Sequence, residues 1–422
     1  MKLAYVTVRI PYGDQETFII TEIKELLRQK QSVEVFPFRP SGNIYHDNAR
    51  AIEKHTYRYE MFSTRIAVMA LCYYFKRPMT CSRLIGRILT KSRNLKTRLL
   101  NLTATIKALA IADRFVNLGI EHIHAHWGTR PSTFALLVSE LTGIPWSMTL
   151  HRWDIYENNL LQHKAYSASF IRCISEKGKS DLLNIVGKEF AGKINVLRLG
   201  VNLPPRMMNH ENTGAGSQMS AFNIAVPANL YGVKGHRYLI DAIELLVKNG
   251  IKEIKCSFYG DGYLREELQG EINRRRLDAN IFMPGRVEHD QLLDMYSRQE
   301  VDLVVLPSIV TKSGHHEGIP VALLEAMAYS IPVVSTDTGS IAELIGDGSG
   351  EMVRHSDSVS LADAIRKLVT DQTYYDKLAM QGRLKVEEQY DLKTNVACLV
   401  DLFANFRCKP QMMKPVTETP SD

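Results

Sequence analysis

Short apolar runs alternate along the chain with longer stretches in which apolar residues recur every three or four positions. The short runs predict buried strands, and the longer stretches predict amphipathic helices. Strands are predicted at residues 3–8, 33–38, 146–150, 222–228, 255–259, 281–283, 301–306 and 331–335. Helices are predicted at residues 17–28, 132–142, 263–276, 321–329, 361–369 and 374–388, and again from residue 236. Strands that alternate with helices are typical of parallel sheets, so the predicted fold class is α/β.

The pattern restarts in the second half of the chain, which indicates two domains. A length of 422 residues, 45% of them hydrophobic, suffices for two or three separate cores. Residues 203–221 are rich in Pro, Gly, Ser and Asn, and we interpret them as a linker between domains at 1–202 and 222–390. A last helix is predicted at 391–408. The polar tail at 409–422 is predicted to be disordered.

The positive charge of the chain is concentrated in one helical segment. The net charge is +6, yet residues 61–112 hold ten Lys or Arg and no acidic residue; without these ten, 42 basic residues face 46 acidic ones. Cations recur every four positions and apolar residues supply another face: Arg83, Arg87 and Lys91 against Leu84, Ile88, Leu95 and Leu99. The segment at 60–112 can therefore lie on an anionic membrane surface, or it can be a solvated helix face over an ordinary core. Nucleic acid is not an expected partner, because no recognition motif accompanies the charge.

Three features of the sequence predict the compartment. No apolar run approaches the roughly 18–20 residues that a membrane-spanning helix needs. The N-terminus enters a strand pattern at once, without the cleavage site of a signal peptide. Six scattered cysteines form no CxxC pair and fit reduced thiols. We expect a cytoplasmic protein, peripheral at the inner face of the cytoplasmic membrane.

The clearest candidate chemistry lies at residues 313–338. Two apolar strands are joined there by a loop and by a helix that is apolar on every side except at Glu325, and Glu317 stands just before that helix. An ionised carboxylate among apolar neighbours is costly unless donors meet it, and sugar hydroxyls are such donors. The free amides between Gly318 and Val321 suit a phosphate. The alternative is that Glu325 pairs with a buried Arg or caps a neighbouring element.

Two loops between a strand and a helix are further candidates for ligand contact. Lys234 and Gly235 stand at the start of the helix that begins at residue 236, where the ammonium and the amides can share a diphosphate. Gly13 follows the first strand, where it could approach an acceptor or a phosphate; a plain tight turn is an equal alternative.

Histidines alternate in the run His122, His124 and His126, so they would share one face of a strand. No carboxylate or thiol stands nearby at a spacing typical of zinc ligands, so no metal is predicted. The carboxyl ends of strands face the ligand crevice in open α/β sheets, which places His126 there. His151 and Asp154 follow the next predicted strand and belong to the same edge.

The stretch EGIPVALLEAMAYSIPVVST, with Glu317 and Glu325 eight residues apart, closely resembles the signature of the retaining GT-B glycosyltransferases of family GT4. It is most similar to that of the bacterial exopolysaccharide and colanic-acid type enzymes. The resemblance implies two doubly wound Rossmann-like domains that face a central cleft, with the last helix at 391–408 crossing back to the first domain. It also implies a nucleotide-diphosphate sugar as the donor substrate and no other cofactor. The sequence contains no Asp-x-Asp, which agrees with a metal-independent transferase.

The same resemblance assigns roles to individual residues. The residues implied in catalysis are Glu317, His151 and Lys234. The residues implied in donor binding are Glu325, Gly318, Ile319, Pro320, Val321, Asn229, Gly235, Arg286 and Val287. The residues assigned to the acceptor side are Gly13, His126 and Asp154. Asn229 departs from the family pattern, which carries an Arg there, so one of two expected cations is missing; Arg286 or Arg237 could compensate.

We therefore expect a retaining hexosyltransferase that acts on a lipid-linked or growing glycan in bacterial surface polysaccharide biosynthesis. Three alternatives stay open. A GT-B sugar-nucleotide epimerase would release its product without an acceptor. A catalytically weak protein that senses nucleotide sugars or acts as a scaffold would bind the donor without transfer, and Asn229 favours it. A membrane-surface interaction protein would bind anionic vesicles without nucleotide dependence.

Overall fold

A computed structural model describes residues 1–13, 16–44, 47–206, 221–312, 314 and 316–406. It contains two six-stranded sheets in which all paired strands are parallel. The proposed linker at 203–221 lies mostly outside the described residues, and the proposed tail at 409–422 lies wholly outside them. The predicted α/β class and the two Rossmann-like units are confirmed.

The first sheet has the strand order β2-β1-β3-β4-β5-β6. Its strands are β1 Lys2–Thr7, β2 Ser32–Pro37, β3 His122–His126, β4 Trp146–Leu150, β5 Ile171–Cys173 and β6 Ile194–Val196. Its helices are α1 Thr17–Arg28, α2 Arg50–Glu53, α3 Thr64–Lys76, α4 Pro78–Lys91, α5 Leu95–Asn117, α6 Arg130–Thr142, α7 Arg152–Glu157, α8 Leu161–Ser167 and α9 Glu176–Val186. The chain reverses direction across the sheet between β1 and β3, and ligands of open α/β sheets bind at such switch points.

The second sheet has the strand order β12-β11-β10-β7-β8-β9, with its switch point between β7 and β10. Its strands are β7 Phe222–Pro227, β8 Ile254–Tyr259, β9 Ile281–Gly285, β10 Leu303–Leu306, β11 Val333–Thr336 and β12 Glu351–Val353. The helices of this half are α10 His236–Lys248, α11 Arg265–Arg274, α12 His289–Ser297, α13 Val321–Ala328, α14 Ile341–Ile345, α15 Ser358–Thr370, α16 Gln372–Gln389 and α17 Leu392–Asn405.

Helix α17 returns to the N-terminal sheet. Its apolar residues join β1, α1 and β2 in one core cluster: Leu392, Val396, Leu399 and Phe403. The chain therefore crosses between the sheets twice, and the two crossing segments are hydrogen-bonded to each other through Val201 and its neighbours. Only glycine fits at Gly200, because a β-carbon there would lie 2.3 Å from Cα of Leu392. These crossings form a two-stranded hinge.

Side chains of the C-terminal domain also hold the N-terminal domain directly. The Glu343 carboxylate accepts hydrogen bonds from the amides of Glu176 and Lys177 at the start of α9, both at 2.9 Å. Arg152 donates to the carbonyl oxygen of His316 and, at 3.3 Å, to that of Gly314. A carboxylate at a helix N-terminus satisfies amides that would otherwise lack acceptors. The cleft between the sheets is therefore closed on this side.

The basic segment forms three helices, α3 to α5, in which two sequence-based predictions need correction. Leu95 and Leu99 are 70% and 57% exposed, so they do not share the buried face of Leu84 and Ile88. They belong to α5, because the chain turns between Lys91 and Leu95. Arg87 forms an ion pair with Glu140 on α6 and is not part of a free cationic face. Within the described residues, none of the helices is both long and apolar enough to cross a bilayer.

Candidate active site

The loops after β7 and β10 meet at the switch point of the second sheet. Nζ of Lys234 lies 2.7 Å from Oε1 of Glu317, and both side chains are partly exposed, at 21% and 17%. The loops approach so closely because Gly235 has a φ of 69° and a β-carbon there would lie 1.9 Å from the Pro307 carbonyl oxygen. Two of the residues expected in catalysis thus form one ion pair at this edge.

Glu325 lies on α13 and forms a hydrogen-bonded pair with a histidine of the neighbouring helix. Nε2 of His289 is 2.6 Å from Oε1 of Glu325, and the two side chains are 24% and 16% exposed. The hydrogen bond that the His289 ring donates to the Glu325 carboxylate raises the pKa of His289, although burial of the ring opposes this rise. The proposed alternative of an internal partner is thus realised, with a histidine in place of an arginine. The other carboxylate oxygen of Glu325 takes no part in the bond with His289, so it can still accept a hydrogen bond from a ligand hydroxyl.

A pocket between the two domains opens beside this pair. It is lined by Phe18 and Thr21 of α1, Gly200–Asn202 of the hinge, and His289, Leu293, Val321, Glu325 and Tyr329. Its volume is about 40 Å³, enough for a few water molecules.

The start of α13 lies where the sequence predicts it. The helix begins at Val321, and Pro320 is its N-cap residue. Gly318 is partly exposed and Ile319 is 9% exposed. Gly339, with a φ of 61°, packs closely against this loop. A β-carbon there would lie 1.8 Å from the carbonyl oxygen of Glu317, so the position requires glycine.

The remaining donor-side residues lie around the carboxyl ends of β7 and β9. Asn229 is exposed directly after β7, and Arg286 and Val287 follow β9, exposed and partly exposed respectively. Arg237 does not compensate for the missing cation, because its guanidinium faces Glu267 and Glu271 of α11, at 3.4 and 3.6 Å.

His126 and His151 end a buried polar chain in the first domain. Nε2 of His126 is 2.8 Å from Nε2 of His151, and Nδ1 of His126 is 3.2 Å from the Tyr5 hydroxyl. That hydroxyl donates to Glu22, which also accepts from Arg172 at 2.6 Å. Because Tyr5 uses its proton on Glu22, His126 donates from Nδ1 and accepts at Nε2, so His151 carries its proton on Nε2. Burial lowers the pKa of His151 to about 3, which keeps the ring neutral.

The alternating histidines do lie on one face of β3, but they bind hydroxyl groups. His122 contacts Ser147 at 2.7 Å, and His124 contacts Ser147 and Thr149 at 2.8 and 2.9 Å. In the described parts of the chain, no group of three His, Cys, Asp or Glu has an arrangement that could hold a metal ion. His126 is fully buried behind His151, so the prediction that its side chain reaches the crevice needs correction.

The other acceptor-side residues have mixed placements. Asp154 is fully buried, and its carboxylate accepts from the amide of His151 at 2.9 Å, so it caps α7 and does not face open space. Burial raises the pKa of Asp154 to about 7. Gly13 is partly exposed with a φ of 91°, and the side chain of Arg9 lies against it. Of the three residues assigned to the acceptor side, Gly13 is partly exposed, whereas His126 and Asp154 are fully buried.

Sequence reasoning missed several side chains that the fold brings to the site. His289 carries no motif, and only its position four residues after Gly285 places it near the cleft. Glu22 and Arg172 are 150 residues apart, so no local pattern joins them. Glu16 directly precedes α1; it has a φ of 71°, and burial raises its pKa to about 7.

Two facing Rossmann-like sheets, a two-stranded hinge and a closing C-terminal helix define the GT-B architecture. Solved structures of the same fold include Anabaena Alr3699/HepE in complex with UDP, with a TM-score of 0.66 and 17% identity over 96% of this chain and 100% of that one. Sucrose-phosphate synthase from Thermosynechococcus elongatus gives a TM-score of 0.71 at 16% identity, over 96% of this chain and 98% of that one. At such identities the likeness concerns the fold alone.

The chain is a glycosyltransferase, and its residues 216–385 match the model of the family described as glycosyl transferases group 1. One relative, WcaL of Salmonella typhimurium, is named for colanic acid biosynthesis and is 26% identical over 93% of this chain and 96% of its own length. Another, TuaC of Bacillus subtilis, is named for teichuronic acid biosynthesis and is 27% identical over 70% of this chain and 72% of its own length. The predicted GT4-like resemblance is confirmed.

Proposed function

We propose that this glycosyltransferase moves a hexose from a nucleotide-diphosphate sugar to a lipid-linked or growing glycan, with retention of the anomeric configuration and without a metal ion. The observation that carries the proposal is the pair of Lys234 and Glu317 at the switch point of the second sheet. It joins a cation suited to a diphosphate with a carboxylate suited to sugar hydroxyls, beside the start of α13.

The donor assignment is supported by the fold neighbours and by the chemistry of the pocket. Solved structures of HepE contain UDP and UDP-glucose. In the present chain, Glu325 faces the pocket between the domains and has one carboxylate oxygen available for a ribose hydroxyl. We assign the ribose to Glu325, the diphosphate to Lys234 and the amides near Gly235 and Val321, and the sugar to Glu317 and His151.

In the proposed reaction, an acceptor hydroxyl attacks the anomeric carbon on the face from which the diphosphate departs. The bond from the anomeric carbon to the phosphate oxygen breaks, the new glycosidic bond forms, and a phosphate oxygen takes the hydroxyl proton. Lys234 and the helix starts stabilise the charge that develops on the leaving diphosphate. The sequence lacks the Asp-x-Asp pattern, and Lys234 occupies the position from which a cation can act instead.

The acceptor assignment is supported by the named relatives and by the surface of the basic segment. WcaL is named for colanic acid biosynthesis and TuaC for teichuronic acid biosynthesis. The basic segment at 60–112 exposes large apolar side chains among its cations, with exposed fractions of 57% to 83%: Phe62, Val68, Leu71, Phe75, Met79, Leu95 and Leu99. Exposed apolar and basic side chains on one surface are typical of proteins that lie on anionic membranes.

A donor screen followed by product analysis tests the proposed function. UDP-, GDP- and ADP-sugars are compared by thermal stabilisation of the full chain, and NMR of the product determines the anomeric configuration with and without EDTA. We expect nucleotide sugars with one of the three bases to stabilise the protein. Glu325→Ala should weaken the binding of that donor by about tenfold, the value of one charge-assisted hydrogen bond. Inversion at the anomeric carbon, loss of activity with EDTA, or release of an epimerised nucleotide sugar would each contradict the proposal.

Membrane association is a separate prediction. We expect the protein to float with phosphatidylglycerol vesicles at low salt, and binding to weaken as salt rises because exposed charges are screened. Each cation at an anionic surface contributes about 1 kcal/mol, so Arg83→Gln with Lys91→Gln should weaken binding by about 30-fold. Arg366→Gln, an exposed site on α15, is the matched control. Flotation that does not respond to salt would show that this surface is merely solvated.

A second candidate function is donor binding without transfer. Asn229 is uncharged, so Lys234 supplies the positive charge of the loop after β7. The guanidinium of Arg237 faces Glu267 of α11 instead. A nucleotide-sugar scaffold would show the thermal stabilisation described above but neither transfer to an acceptor nor donor hydrolysis.

A further inference from the structure

Three arginines follow three adjacent strands of the N-terminal sheet. Arg9 comes after β1, Arg39 after β2 and Arg130 after β3, and these strands are neighbours in the order β2-β1-β3. Because all three strands are parallel, the arginines lie at the same carboxyl-terminal edge. Arg9 and Arg130 lie on either side of the switch point between β1 and β3, the location at which open α/β sheets bind ligands.

Backbone and ring contacts hold the three residues close together. The amide of Arg39 donates to the carbonyl oxygen of Val8, which directly precedes Arg9, at 2.9 Å. The guanidinium carbon of Arg130 lies 5.7 Å from the ring centroid of Phe38, which directly precedes Arg39. Burial and, after it, the charges of Arg39 and Arg9 lower the pKa of Arg130. We call these three residues the arginine cluster.

The positive charge of the arginine cluster has little compensation within the protein. In the described part of the chain, none of the three guanidinium groups forms an ion pair within 4.0 Å or donates a hydrogen bond to another residue. Glu157 acts on Arg130 and Glu16 lies near Arg9, but burial raises the pKa of Glu16 to about 7 and so removes part of its charge near neutral pH. Guanidinium groups held together without carboxylates repel each other, and an anionic ligand removes that cost.

The arginine cluster is also connected to the basic helices. Lys107 of α5 is buried, and its ammonium donates to the carbonyl oxygens of Pro37, Phe38 and Tyr59 at 2.8, 2.6 and 3.0 Å. The turn that carries Arg39 is thus anchored to the segment that exposes apolar and basic side chains. A ligand in the cluster would lie beside this surface.

We propose that the arginine cluster is a binding site for the phosphate groups of the acceptor substrate. The proposal rests on the proposed function for the role of the site, although phosphate binding itself does not depend on it. Guanidinium groups bind phosphate oxygens through paired N–H donors, and three of them match the charge of a diphosphate better than that of one carboxylate. The neighbouring apolar surface favours a phosphate attached to a lipid over a free one.

Titration of the full chain with farnesyl diphosphate, followed by ³¹P NMR and calorimetry, tests the site. We expect saturable binding that weakens by about tenfold or more in Arg39→Gln/Arg130→Gln and in Arg9→Gln, because each removes paired charge-assisted hydrogen bonds. Arg39→Lys, which keeps the charge without the planar fork, should give an intermediate affinity. Arg366→Gln makes the same charge change on α15 as Arg9→Gln makes in the cluster, and it should leave the affinity unchanged. Thermal melting confirms that each variant is folded.

Competition distinguishes the sources of the ligand. Displacement by inorganic diphosphate supports a phosphate site that does not need the lipid, and weaker displacement than by farnesyl diphosphate shows that the chain adds affinity. Displacement by farnesol or by methyl glucuronide as strong as that by farnesyl diphosphate would overturn the proposal in favour of lipid or carboxylate recognition. Equal affinity in the arginine variants would also overturn it.

A variant of the donor site distinguishes binding at that site from binding at the arginine cluster. Lys234→Ala should leave farnesyl diphosphate affinity unchanged, whereas a loss there would show that the probe occupies the donor site and would overturn the proposal. Binding of UDP-sugars is measured on the same samples. If no nucleotide sugar binds but farnesyl diphosphate does, the proposed function fails and the phosphate site stands.

Discussion

Lys234→Ala is expected to lower the kcat of sugar transfer by about 10²- to 10³-fold, the usual loss when one group that stabilises developing charge is removed. The side chain lies at the start of α10, 2.7 Å from Glu317, where it can meet the leaving diphosphate. Substitutes are scarce in the described residues, because Asn229 is uncharged and Arg237 faces Glu267 and Glu271. The measurement is kcat and KM for transfer with the donor that the screen identifies.

The control for this change is Lys252→Ala, an exposed lysine of the same domain that follows α10 and lies away from the cleft loops. Glu317→Gln and the double variant Lys234→Ala/Glu317→Gln complete a double-mutant cycle with Lys234→Ala. We expect the two losses to be strongly non-additive, because each residue positions the other in the free protein. An unchanged kcat in Lys234→Ala, with a normal melting temperature, would show that the diphosphate departs elsewhere.

Most of the fold was predictable because periodicity carries the information. The helix predicted at 17–28 is observed at Thr17–Arg28, and the strand predicted at 146–150 is Trp146–Leu150. The basic segment was harder, since a helical pattern over 60–112 does not show where one helix ends and the next begins. Leu95 and Leu99 continue the spacing of Leu84 and Ile88, yet the turn before Leu95 moves them to another helix and into solvent.

The candidate site was predictable where its residues lie in one loop or follow a strand. Glu317 and Lys234 were assigned separately, and only the close approach of Gly235 to Pro307 shows that they meet. The internal partners were beyond local patterns: Glu325 binds His289 from another helix, and His126 is sealed behind His151. Such contacts depend on how helices pack across a sheet, which spacing along the chain does not encode.

Arg172→Met is expected to lower the free energy of unfolding by about 3–5 kcal/mol, because it leaves the Glu22 carboxylate buried without its cation. Arg172 is 1% exposed and Glu22 is 3% exposed, and Nη1 of Arg172 lies 2.6 Å from Oε2 of Glu22. The same guanidinium donates to the carbonyl oxygens of Leu197 and Arg198, just before the hinge. Denaturant unfolding of the full chain measures the loss, and the transition of the N-terminal domain should account for it.

The cause of that loss can be separated from the loss of the arginine's own volume and carbonyl contacts. In Glu22→Gln/Arg172→Met no charge remains buried, so we expect the double variant to be more stable than Arg172→Met alone, although the two carbonyl oxygens still lack their donors. Arg366→Met breaks an exposed pair with Asp363 and should cost less than about 1 kcal/mol. If Arg172→Met costs no more than this control, the buried chain from Glu22 through Tyr5 and His126 does not stabilise the domain. If the double variant is no more stable than Arg172→Met, the missing carbonyl donors, and not the unpaired carboxylate, determine the loss.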